Sequence, residues 1–151
     1  MKRHAPYALS LLLSFIVTTG FCQNNNPKPK QFSNLPEIII CNEQELSKVF
    51  TAAPGQTISI AFSNNFTFAG SVTSNLSKYA NLQTAVIVSP DYFNTIFSVS
   101  KITNADGSNA YIGRIINKNY FDGFELKRNT AGAYQLKKIE TDRVIQDCSQ
   151  L

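Results

Sequence analysis

The sequence predicts an α+β, mostly β, domain: an antiparallel meander of about seven strands, either a sandwich or a partly open barrel, with one N-terminal amphipathic helix packed on it. Three observations carry this. Beyond residue 56, apolar and polar residues alternate at period two. Turn chemistry recurs there about every 10–14 residues. One stretch only, Leu46, Val49, Phe50 and Ala53, has the i, i+3, i+4, i+7 spacing of a buried helical stripe.

Each element has its own signal. The β-branched run Ile38, Ile39 and Ile40 predicts a short first strand ending at Cys41. Asn42 then caps a helix, with Glu45 three residues on in a capping-box pattern, and Pro54–Gly55 stops it. Ile58, Ile60 and Phe62 form a strand, Asn64–Asn65 a turn, and Phe66, Phe68 and Val72 the next strand. Leu76 to Ala80 reads as an irregular connection or a short helical turn. Thr84 to Ser89, apolar on both faces, predicts a two-sided central strand. Strands follow over 95–103, 110–117, 121–128 and 134–140, the first two joined by a hairpin loop containing Asp106–Gly107. A last short strand is expected over 143–146.

The start of the chain has a different character. Residues 1–22 read as a secretory signal peptide: Lys2 and Arg3, then an apolar body from Tyr7 to Val17, then Gly20 and Cys22 as small residues before a cut at Gln23. The apolar run is about half of the roughly 20 residues a membrane-spanning helix needs, so no integral span is expected after cleavage. A lipid anchor on Cys22 is the minority alternative, because the bulky Phe21 precedes that cysteine. Residues 23–36, with three adjacent Asn and Pro27, Pro29 and Pro36, are expected to be a flexible polar linker. Residues 37–151 are then a single β-rich domain, secreted or periplasmic.

Composition narrows the function classes. With 43% hydrophobic and only 16% charged residues, the chain can bury a core and is too apolar to be disordered. Lys2 and Arg3 leave with the leader, so the formal charge falls from +4 to +2 and gives no reason to expect a nucleic-acid partner. The single His, His4, leaves too, which excludes a Ser-His-Asp or Cys-His catalyst. Two cysteines remain, Cys41 and Cys148. In an oxidising compartment they are expected to pair, with a loop-closure stabilisation of about 4–5 kcal/mol. No metal site or cofactor is expected: a disulfide removes the thiolates, and the oxygen-rich loop from Asn104 to Asn109 lacks the acids of a calcium loop.

Two groups of residues stand out as candidates for recognition. Tyr92–Phe93 and Tyr120–Phe121 are aromatic pairs in turns rather than in alternating strand positions. Lys127–Arg128 and Lys137–Lys138 lie on strands joined by a short turn and suggest a patch for an anionic partner, although lysines that blunt a sheet edge have the same pattern. The sequence therefore reads as a small exported non-catalytic β-rich module that binds an unknown protein, or an envelope or polysaccharide partner. The alternatives are a secreted hydrolase inhibitor that presents a rigid loop and a lipocalin-like carrier of a small apolar ligand.

Overall fold

The computed structural model describes residues 28–144. The fold is mostly antiparallel β with one short helix. Strands β1 (Ile38–Cys41), β2 (Thr57–Ser63), β3 (Phe66–Tyr79), β4 (Leu82–Ser89), β5 (Thr95–Thr103), β6 (Asn109–Ile116), β7 (Asp122–Arg128) and β8 (Tyr134–Glu140) make one eight-stranded sheet in the order β1-β8-β7-β6-β5-β4-β3-β2. Strands β2 to β8 form a simple meander, and β1 joins at the far side by pairing with β8, Ile39 opposite Leu136. The sheet thus curls into a nearly closed barrel whose unpaired edges, β1 and β2, lie beside one another.

Curling gives the sheet a single interior, and the period-two pattern fills it. Ile60, Phe62, Phe66, Phe68, Ile87, Phe97, Ile115, Phe124 and Leu136 are all buried. Gly70 lets β3 and β4 approach closely: a Cβ there would lie 2.5 Å from the Val88 carbonyl oxygen. Register shifts in β3 between Val72 and Ser74, and again between Ser77 and Tyr79, add the bend that closure requires.

The two ends of the barrel are covered by local structure from the first third of the described chain. Helix α1 (Glu43–Lys48) is capped by Asn42, whose side chain accepts from the Gln44 N–H, and runs on into a 3-10 turn over Val49–Thr51. Leu46, Val49 and Phe50 are buried as the stripe requires, although Ala52 rather than Ala53 completes it. Glu45 does not reach back to the cap. Its carboxylate accepts from the Ala61 N–H on β2 at 3.2 Å and pairs with Lys48, so it covers part of the open sheet edge. At the opposite end the segment from Lys28 to Pro36 crosses the barrel mouth as a strap.

Several expectations change. The segment expected to be a flexible linker contributes Phe32, 1% exposed, to the core, because one large ring in a polar stretch outweighs its neighbours once a pocket is available. Leu76 to Ala80 is not irregular: β3 runs on to Tyr79 and turns tightly into β4. β4 is one-sided, with Ala85 and Ile87 buried and Val86 and Val88 half-exposed, because a curled sheet has no second layer outside it. Over 141–143 the chain makes a 3-10 turn rather than starting a strand, tied down by Thr141, whose N–H donates to the Phe121 carbonyl. Residues 145–146 of that expected strand and Cys148 lie outside the described residues. Cys41 is buried at the end of β1, where burial pushes its thiol up to about 11.

Candidate functional site

The strap end gathers more unusual side chains than any other part of the described molecule. Its anchor is Asp122, the first residue of β7, which is 3% exposed. Its carboxylate accepts the Gln31 N–H at 2.6 Å and the Phe32 N–H at 3.0 Å, while the Phe121 N–H donates to the Pro29 carbonyl. A buried carboxylate is tolerable here because both oxygens are satisfied. With its lone pairs committed to backbone amides, Asp122 acts as a clasp on the strap.

The clasp holds Gln31 over the β4–β5 loop. The Gln31 amide donates to the Tyr92 carbonyl at 2.8 Å and accepts from Thr95 Oγ1 at 2.9 Å. From the β6–β7 side, Asn117 Nδ2 donates to the Phe93 carbonyl at 3.0 Å. Both loop carbonyls are therefore pinned by buried or half-buried amides. Under this restraint Phe93 and Asn94 adopt left-handed backbone, φ 52° and 61°. For a bulky aromatic residue that conformation is unfavourable and persists only where its surroundings enforce it.

The left-handed turn separates two adjacent rings. Tyr92 points inward, its ring parallel to Phe68 and tilted against Phe32, and burial raises its phenol above the ordinary range. Phe93 points outward, 70% exposed, and its ring lies 5.9 Å from that of Tyr120 on the β6–β7 loop. Phe121 is half-buried, with Lys30 above its ring. Of the four aromatic candidates, the structure sets the exposed Phe93 against the half-buried Tyr120, gives Tyr92 to the core and places Phe121 beside the strap. There a polar cleft of about 290 Å³ is lined by Lys30, Ser33, Glu37, Phe121, Lys138 and Glu140.

The four basic candidates are likewise divided. Strand alternation sends Lys127 and Lys137 to the outer face of the sheet. Arg128 stacks over the Tyr134 ring at the helix end. Lys138 Nζ, largely buried at the strap end, donates to the Leu35 carbonyl at 2.7 Å and sits 3.3 Å from Glu37. No single patch contains all four.

Residues that sequence reading passed over are Gln31, Thr95, Asn117 and Asp122, which hold the platform, and Arg114, which joins Lys127 on the outer face. Arg114 was findable, since it falls between the inward Tyr111 and Ile115. The others sit in loops or at the first position of a strand, where no period reveals them. The barrel interior, the space a carrier would reserve for cargo, is occupied by Phe62, Phe66, Phe68, Phe97 and Phe124. Among the described residues, no three His, Cys, Asp or Glu side chains gather as a metal site, and no helix is long and apolar enough to cross a membrane. No family model, curated protein or solved structure matches this chain.

Proposed function

We propose that the protein is a small exported, non-catalytic module that binds a partner in the cell envelope through the Phe93–Tyr120 pair at the strap end of its barrel. The observation that carries this reading is the combination of exposure and restraint at Phe93. Its ring is mostly in water, yet its backbone is held in an unfavourable conformation by Gln31, Thr95 and Asn117. A ring carried on a backbone already fixed in place has less freedom to lose on binding, so more of the apolar area it buries against a partner counts toward affinity. The leader-like start of the sequence supports export, and the lack of any His beyond residue 4 supports a role without catalysis.

The same rigid, protruding Phe93 also suits the inhibitor reading, with the ring entering a hydrolase pocket. Affinity capture from envelope extracts tests both readings, with wild type and Phe93→Ala compared side by side and bound proteins and saccharides identified. Retention that drops at least about tenfold in the variant supports the platform; equal retention overturns it. A captured hydrolase whose activity falls on binding selects the inhibitor. N-terminal sequencing of the exported protein tests the leader, with Gln23 as the expected first residue.

A further inference from the structure

We propose that the outer face of β5, β6 and β7 is a second binding site, separate from the strap end, that takes an acidic peptide segment of a partner protein with aliphatic side chains beside its carboxylates. The register across these strands composes the site. Ser98, Arg114, Glu125 and Lys137 stand side by side on successive strands, and Ser100 is opposite Ile112 in the next row. The short Ser98 and Ser100 side chains leave a hollow beside the larger Ile112, Ile116 and Arg114, and the resulting cleft encloses about 560 Å³. That is the size of pockets that hold organic ligands, roughly 300–1,000 Å³.

Charge decides what fits. Arg114 lies 3.6 Å from Glu125, and Lys127 lies 3.1 Å from the same carboxylate. Lys137, directly opposite Glu125 in the ladder, is exposed and forms no ion pair among the described residues. Two cations thus share one carboxylate while a third stands unpaired beside it, and the excess positive charge faces solvent. Ile112, 53% exposed, and Ile96, 42% exposed, border the charged row and offer apolar surface to the same occupant. An added carboxylate satisfies the unshared cations, and an adjacent aliphatic side chain covers the isoleucines. An anionic membrane surface meets the charge requirement, but it is flat and cannot fill a hollow floored by serines.

Calorimetry on the mature protein tests this with two acetylated hexapeptides, one alternating glutamate and leucine and the other glutamine and leucine. The glutamate peptide is expected to bind and the glutamine peptide to bind at least about tenfold more weakly. Affinity should fall steeply with added salt, as for partly exposed charges. Arg114→Gln with Lys127→Gln should weaken the glutamate peptide about tenfold or more. Lys137→Gln, which leaves the Glu125 pairs intact, should weaken it about threefold, and thermal melting confirms that both variants fold. Ile112→Ser should weaken the glutamate–leucine peptide but not a glutamate–serine one. Equal binding of the charged and neutral peptides overturns the proposal. So does an affinity unchanged in the double variant, or binding to phosphatidylglycerol vesicles without binding to the peptide. None of these results depends on Phe93, so this site and the strap-end platform stand or fall separately.

Discussion

The two ends of the barrel are closed by different means. At one end α1 and its 3-10 extension bring Leu46, Val49 and Phe50 down onto the core, where the Phe50 ring meets Tyr111. The turn's carbonyls are met from the sheet: Asn75 Nδ2 donates to those of Val49, Phe50 and Ala52, and Gln83 Nε2 to that of Phe50. Tyr134 closes the same end from the other side. Its hydroxyl accepts the Tyr111 N–H and donates to the Asn109 carbonyl, standing in for ladder bonds where β6 and β7 part. The strap that covers the opposite end has no regular secondary structure of its own. The strap is held by the Asp122 carboxylate, the Phe32 ring and bonds to its Pro29 and Leu35 carbonyls, and its Gln31 side-chain amide reaches the β4–β5 loop. A helix satisfies its own backbone and needs partners only at its ends. A strap must find a partner for each buried amide, so its donors and acceptors become entangled with the loops it crosses. That entanglement places the Phe93 platform at the strap end.

The contrast can be broken most forcefully at Phe32. Replacing it with Ala removes the ring that packs on Phe66, Tyr92 and Phe124 and should cost about 3–5 kcal/mol in denaturant unfolding. A free linker would lose nothing. Asp122→Ala should cost about 2–3 kcal/mol by leaving two strap amides without acceptors. It should also sharply raise hydrogen exchange at Gln31 and Phe32 while sparing the helix end. The reciprocal change, Asn75→Ala, should cost about 1–3 kcal/mol and loosen only the helix end.

Two smaller effects refine the picture. With Cys41 reduced, burial raises its thiol from 9.0 to about 11 and also raises the Tyr111 and Tyr92 phenols. Ionisation therefore favours the unfolded chain: stability should hold below pH 9 and decline as pH climbs toward 11, read from melting temperature across that window. In the same experiment native Cys41 should resist alkylation at neutral pH. The smallest change expected is at Ser89, whose hydroxyl is fully buried with no hydrogen-bond partner among the described residues. Ser89→Ala should stabilise the protein by about 1 kcal/mol, because it removes an unsatisfied group at little cost in packing.

Much of this architecture was readable from the residues because alternation and burial are coupled in a one-sided sheet. β5 and β8 begin and end where Thr95–Thr103 and Tyr134–Glu140 were expected, and β1 starts one residue inside the expected 37–41. The second half of β3 escaped because Ser77, Lys78 and Tyr79 extend past the barrel and bury little, so no apolar period marks them. The strap escaped for a related reason. A single Phe carries no period, and the proline- and asparagine-rich composition around it describes solvated chain equally well. At the candidate site, Phe93 and Tyr120 were visible as aromatics in turns, but their meeting was not, since loops bring residues together without any regular spacing. The basic pairs were misjudged in a simpler way: adjacent residues on a strand face opposite sides, so Lys127–Arg128 and Lys137–Lys138 could never form one surface.

The pairing of β1 with β8 has a consequence for the order in which the protein can be made. A growing chain that has reached residue 130 can arrange β2 to β7, yet Ile38–Cys41 still has no neighbouring strand to join. The strap waits as well, until Asp122 has emerged and folded into place. Closure of the barrel therefore waits for β8, and long-range pairing of this kind folds slowly. Until β8 is made, the edges of β1 and β7 stay unpaired and open to other chains.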